Sequence, residues 1–485
     1  MKTIKEKTIS GLSWSFLNQF LSQIFSIGFA IILARLLTPK EFGLVAMVTV
    51  FTGFANVISD FSIGVAIIHK KEITQKELSS AFWLNTIFGI FLAGIIVLFS
   101  GAIANFYETD ILKLIAIVIS INYFFSSINI VQNALLKKNL EFKKIFIIQF
   151  TAIFFSGIIA VVLALNGYKV WALVFQSVAQ YFFITLVTWL ISGWRPSFHF
   201  NWDELVPFLK FSIPVFGTKV INYFARTLDN LLIGKNFGSL DLGVYSRAYT
   251  FMRLPVNNFA IVLHNVMFPS FSVIQDDNFK IKSIFLKIIE TAALFIFPLL
   301  VLLYLIADDF VIFLLGEKWE AMIPIFKIFC FAGALETLIT LTGSVFMSKG
   351  KTKLLFYIGT ASRVLLIIGI LYGLQFDVVS IAKYFCIATA ISTPLFLYFA
   401  GKCIDTSLIE IIRVLIPIVI TCVVIYPIVY FVSIIGNDYS LFLKLFTQTI
   451  LSFGAYFIII YFLKLESFKF ILDLLNTNLR KVFNK

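Results

Sequence analysis

Windows of about 20 mainly apolar residues recur along the whole chain, and that recurrence decides what it can fold into. As a helix, each is long enough to cross a hydrocarbon core roughly 30 Å thick. Fourteen are read: 11–34, 42–68, 79–100, 111–135, 145–165, 170–192, 207–236, 241–272, 283–306, 320–347, 354–373, 378–401, 408–435 and 440–463. They leave no stretch of the 485 residues for a soluble domain. Composition agrees: 60% of residues are hydrophobic and 13% charged, whereas soluble domains run near half apolar and about a quarter charged. In lipid, a segment has to satisfy its own backbone N–H and C=O groups, which a helix does. The expected fold is therefore an all-α polytopic membrane protein.

The formal charge of +13 follows topology, not a nucleic-acid partner. An even number of spans puts both termini on one side. That side carries 25 Lys and Arg in its loops and tails, and the other carries 7. Basic loops stay in the cytoplasm, so both termini are assigned there. The start, MKTIKEKTISGLSWSFLNQFLSQIF, has a basic lead, but its apolar run of 24 residues is too long for a cleaved signal and is read as the first span. Cys330, Cys386, Cys403 and Cys422 form no CxxC pair and read as small buried hydrophobes.

A repeat runs through the chain. ARLLTPKEFGLV (34–45) links spans 1 and 2, and GKNFGSLDLGVY (234–245) links spans 7 and 8. At one constant offset Arg35 matches Lys235, Leu37 matches Phe237, Glu41 matches Asp241, Phe42 matches Leu242 and Gly43 matches Gly243. The inner loops LLKKNLEFKK after span 4 and FMSKGKTK after span 10 correspond loosely. Units of six spans keep the same orientation in the membrane, and transporters with such repeats hold substrate near the midplane. The expected organisation is an N-lobe of spans 1–6 (residues 1–205), a C-lobe of spans 7–12 (206–405) related to it by pseudo-symmetry, and spans 13 and 14 with a cytoplasmic tail (406–485). Pro214, Pro255, Pro269, Pro298, Pro324 and Pro394 all fall in spans 7–12 and none in spans 1–6. Proline removes a helical hydrogen bond and bends its helix, so the C-lobe is expected to do more of the bending.

Seven basic residues lie inside spans, all in spans 7–12: Lys219, Arg226, Arg247, Arg253, Lys327, Arg363 and Lys383. Arg247, Lys327 and Lys383 lie close enough to a membrane face to snorkel. Lys219, Arg226, Arg253 and Arg363 do not, and each costs about 2.5–3.5 kcal/mol at a helix centre. Charges this costly usually face a bundle interior or a wet cavity. Lys219 and Arg226 lie two turns apart on one face, Asp229 is placed to pair with Arg226, and Lys219 has no acid at helical spacing in its own span. The acids inside spans are Asp60, Asp229, Glu290 and Glu336. Interhelical ion pairing alone is one reading. A cavity with surplus positive charge, suited to an anion and to phosphate above all, is the other.

Catalytic and metal motifs are lacking. GKT at 350–352 follows Val345 where a nucleotide-binding loop needs Gly. His69, His199 and His264 show no ligand spacing. No nucleophile–base or paired-carboxylate arrangement stands out, so neither an enzyme nor a cofactor is expected.

The segments ARLLTPKEFGLVAMV, ISDFSIGVAIIHKKEIT, SSAFWLNTIFG and DNLLIGKNFGSLDLGVYSRAYTFMRLPVNNFAIVLHNVMFPSFSVIQDD resemble the polysaccharide transporter branch of the multidrug/oligosaccharidyl-lipid/polysaccharide (MOP) flippase superfamily. The similarity is to the Wzx type associated with colanic-acid-like exopolysaccharides. Where that family commonly has Asp-x-Gly, this sequence has Asp60 followed by Ser62, with Gly64 later. The resemblance implies an inner-membrane flippase that moves an undecaprenyl-pyrophosphate-linked oligosaccharide to the periplasmic leaflet by alternating access. It also implies membrane lipids, and a polysaccharide polymerase complex, as partners. Lys219, Arg226, Arg253 and Arg363 would then bind the pyrophosphate, and Asp60, Asp229 and Glu336 are the candidates for ion coupling. A lipid-II-type flippase, a multidrug exporter of the same fold and a non-transporting scaffold of a polysaccharide assembly complex remain the alternatives.

Overall fold

In this computed structural model, residues 4–60, 63–436 and 440–463 are described, with the side chains at 4–13, 15, 16, 58–60, 207, 209–222, 224–226, 258–262, 264–266, 268 and 269 outside the description. Among the described residues every element is helical. In order they are α1 (Ile4–Leu36), α2 (Pro39–Asp60), α3 (Ile63–His69), α4 (Gln75–Tyr107), α5 (Ile111–Ser127), α6 (Ile130–Lys138), α7 (Phe142–Leu165), α8 (Val170–Ile191), α9 (Trp202–Val273), α10 (Asn278–Leu305), α11 (Ala307–Leu315), a 3-10 turn (Glu317–Met322), α12 (Ile323–Ser348), α13 (Thr352–Gly373), α14 (Val378–Lys402), α15 (Leu408–Val423), α16 (Ile425–Ile435) and α17 (Leu441–Leu463). Among the described residues, helix runs through each of the fourteen apolar windows. Among the described residues, 10 helices are individually long and apolar enough to cross a membrane, or 11 when α5 and α6, bent by 44°, count as one span. The windows 42–68, 207–236 and 241–272 are not among them, and the last two hold four of the seven basic residues expected inside spans. The chain divides into two compact units, Met1–Gly243 and Val244–Lys485.

In the first unit α7 packs on α8 and α1, and α4 packs on α5. Ile63, Ile67, Leu78, Phe82, Val131 and Leu205 form an apolar core. Helix α9 is broken at Gly238, whose φ of 84° and ψ of −173° are non-helical and suit a residue without a Cβ. Its first stretch (202–237) is tied to α2 by the Tyr223 hydroxyl, which donates to the Val50 carbonyl at 2.5 Å. Lys235 bonds Glu108 at 2.7 Å, and that hydrogen bond and charge hold the Glu108 carboxyl below the usual carboxylate range.

The two matched link segments meet reciprocally. A Cβ on Gly43 would overlap the Ser239 carbonyl, and a Cβ on Gly243 would overlap the Pro39 carbonyl. Each such Cβ would also lie 3.0 Å from the other glycine's nitrogen. Residues 39 and 43 contact 239 and 243 as a local two-fold demands, at the same offset as the sequence repeat. The inner loops repeat as well. Asn139 (φ −84°, ψ 2°) and Lys349 (φ −85°, ψ 3°) end α6 and α12 with the same backbone, and each is followed by a left-handed residue, Leu140 (φ 57°) or Gly350 (φ 66°).

In the second unit α12 packs on α14 and α10, and α15, α16 and α17 pack on α10. Pro298 inside α10 cannot donate to the Leu294 carbonyl one turn back. The Tyr456 hydroxyl of α17 supplies the missing donor at 3.1 Å, and Tyr456 is fully buried. The last two spans are also held by Lys282–Glu410 at 2.6 Å and Lys444–Asp309 at 2.7 Å. One expectation changes: Pro324 sits in the first turn of α12 and bends nothing, because an N–H there has no intrahelical acceptor to lose.

Three outcomes are expected. Tyr456→Phe keeps the ring but orphans a buried carbonyl, lowering stability by about 1–3 kcal/mol in reversible unfolding in mixed micelles. Gly43→Ala and Gly243→Ala each force the crossing apart, read as a longer distance between spin labels at Pro39 and Ser239. The Lys235–Glu108 bridge, whose carboxyl is depressed, holds fully above about pH 4.3 and opens as pH falls through its lower folded value. Labels at Thr109 and Asn236 report that opening.

Candidate functional site

The second stretch of α9 (239–273) lays Tyr249, Arg253 and Asn257 on one face, since residues four apart are helical neighbours. Arg253 Nη1 donates to the Tyr249 hydroxyl at 3.1 Å and Nη2 to Asn257 Oδ1 at 3.3 Å. The guanidinium also lies 5.5 Å from the Tyr249 ring centroid, a cation–π contact of roughly 0.5–2 kcal/mol. These contacts offset part of the cost of burying an arginine.

An aromatic cluster fixes that tyrosine. Tyr249 meets Phe329 of α12 and Phe385 of α14 edge-on at 5.5 and 5.8 Å, and those two rings meet at 5.6 Å. Two turns beyond Phe329 on α12, Glu336 attracts Arg253 electrostatically. Among the described residues, Arg253 Nε is buried with no hydrogen-bond partner. The guanidinium is thus held at two corners, lies against the Tyr249 ring and keeps its Nε–H unused among the described residues; guanidinium N–H groups of this kind suit oxygen anions.

Of the expected site residues, the second unit brings Arg253 and Glu336 together. Arg363 is half-buried on α13, next to Ser362, whose hydroxyl bonds Ser392 at 2.8 Å. Asp229 is buried in the first unit, its Oδ1 accepting from the Asn230 N–H at 2.8 Å. The side chains of Asp60, Lys219 and Arg226 lie outside the described residues, and with them the expected Arg226–Asp229 pair. Lys327 bonds Asp308 at 2.6 Å, and Lys383 is exposed.

Sequence reasoning did not single out Tyr249, Asn257, Phe329 or Phe385. The first two carry a signal, since they stand four residues either side of a deep arginine. The phenylalanines carry none, being two of 58 in the chain.

Residues 32–324 match the family described as polysaccharide biosynthesis protein, a range that includes the link and α9 motifs. The chain is 29% identical over 383 residues to the lipopolysaccharide biosynthesis protein WzxC of Escherichia coli, covering 77% of this chain and 76% of that one. It is 28% identical over 377 residues to the teichuronic acid biosynthesis protein TuaB of Bacillus subtilis, covering 76% and 77%. In fold it is similar to the lipid II flippase MurJ in an inward closed conformation, with a TM-score of 0.74 at 19% identity over 96% of this chain and 100% of that one. An inward-facing multidrug resistance MATE transporter of the MOP superfamily gives 0.63 at 13% identity over 79% and 94%. With the family match spanning more than half its length, the chain belongs to the polysaccharide biosynthesis protein family and has the fold of the MOP superfamily.

Proposed function

We propose that this protein is an inner-membrane flippase, with both termini in the cytoplasm, that carries an undecaprenyl-pyrophosphate-linked oligosaccharide repeat unit to the periplasmic leaflet. The observation that carries the reading is Arg253, a cation at membrane depth held by Tyr249 and Asn257 with donor capacity left over. Family membership supports a role in polysaccharide assembly, and relatives named for lipopolysaccharide and teichuronic acid biosynthesis point the same way.

In this reading Lys219, Arg226, Arg253 and Arg363 serve the pyrophosphate, which is rich in the acceptors that arginine holds bidentately. Glu336 occupies Arg253 at rest and yields to the incoming anion. Spans 1–6 and 7–12 act as the two lobes of an alternating-access cycle. Outward movement of an anionic headgroup is assisted by an inside-negative potential, by about 2.3 kcal/mol per charge per 100 mV. Asp60, Asp229 and Glu336 are the groups through which a proton or Na⁺ couples.

The test is headgroup translocation of a fluorescent polyprenyl-pyrophosphate oligosaccharide in proteoliposomes. Arg253→Ala and Arg363→Ala, once shown to be folded, are each expected to slow flipping at least about tenfold. That is the loss of a charge-assisted hydrogen bond of roughly 1.5–3 kcal/mol. Unchanged rates make these arginines structural, and a wild type that moves no lipid-linked sugar leaves the scaffold reading in its place.

A further inference from the structure

Within the first unit, a ladder of polar side chains runs between α5–α6 and α8. Asn122 Nδ2 donates to Ser177 Oγ at 2.9 Å and Asn129 Nδ2 to Thr185 Oγ1 at 2.5 Å. The two rungs advance in the same direction on both helices, so the helices run parallel. One turn further along each come Gln132 and Thr188, both fully buried. At this third rung the pairing stops. Neither amide atom of Gln132 has a partner, nor do Thr188 Oγ1, Asn129 Oδ1 and Trp189 Nε1.

The rung adjoins the 44° bend between α5 and α6. There the Phe125 carbonyl accepts from both Asn129 Nδ2 at 2.7 Å and Thr185 Oγ1 at 3.2 Å. The chain neighbours of Asn129, Gln132 and Thr188 belong to an apolar cluster, with Val131 and Ala134 packed with Ile63, Ile67 and Phe82 in its core and Ile128 and Trp189 packed against it. Polar groups enclosed in this way at membrane depth require a guest or pay heavily for the lack of one.

We propose that the Gln132–Thr188 rung is a binding site for an internal water. The unmet groups are mixed: Asn129 Oδ1 and Gln132 Oε1 accept, Gln132 Nε2 and Trp189 Nε1 donate, and the Thr188 hydroxyl does either. Water serves both kinds and needs 2–4 such partners. A cation serves only the oxygens and is repelled by the N–H groups. The water completes the ladder beside the bend in span 4, where side chains already replace the continuous helical pattern.

The sign of one substitution tests this in the full-length protein in lipid nanodiscs. If water bridges the rung, Gln132→Leu strands Thr188 and Asn129 and lowers the melting temperature. Gln132→Leu with Thr188→Val removes three of the five unmet groups and recovers part of the loss. A Gln132→Leu variant that melts at or above the wild type means a dry, orphaned amide and overturns the proposal. So does a melting temperature raised by Na⁺ over choline in the wild type but not in the variant, which makes the guest a cation. A measurement on the unmodified protein stands apart from how the variants fold. In radiolytic labelling after dilution into H₂¹⁸O, Trp189 is expected to take up ¹⁶O first, from slowly exchanging bound water. An unlabelled Trp189 overturns the site.

Discussion

A peptide group that lacks a hydrogen-bond partner in hydrocarbon costs several kcal/mol, and the rest of this structure depends on that constraint. It explains why every described element is a helix, and it also governs the exceptions. At Pro298 the orphaned Leu294 carbonyl is met by a hydroxyl from a helix more than 150 residues later. Within helices, Thr52, Thr86, Thr337 and Thr389 turn their hydroxyls back onto carbonyls four residues earlier, hiding polar groups that lipid would penalise. The last two spans are therefore part of the second unit's backbone satisfaction.

The same constraint sets the meaning of the deep charges. A guanidinium in this medium persists only where polar partners are provided. Around Arg253 they come from its own helix one turn away in each direction, and Glu336 adds its attraction from α12. The surrounding rings keep Tyr249 in place, so the cation is positioned before any ligand arrives. Pre-positioned donors bind an anion without the ordering cost that mobile side chains would add.

Repetition explains how a chain of such length acquires its turning points. The glycines at 43 and 243 are equivalent in sequence and become neighbours in space, where only the missing Cβ lets two backbones approach so closely. The loops after α6 and α12 adopt the same turn with different residues, Leu140 in one and Gly350 in the other. Leucine bears a strain in the left-handed region that glycine avoids, so the repeat preserves backbone geometry more faithfully than residue identity.

What the sequence by itself determined was the membrane class, the helical content and the repeat offset. These follow from hydropathy period, loop charge and spacing, all of which are local. It also marked Arg253 and Glu336 as costly residues needing a reason. That Glu336 comes within electrostatic reach of Arg253, that Phe329 and Phe385 pack on Tyr249 and that Tyr456 answers Pro298 were decided only by tertiary structure. Each joins residues whose separation along the chain carries no period, because which face of one helix meets which face of another depends on packing among many apolar side chains of nearly equal transfer energy.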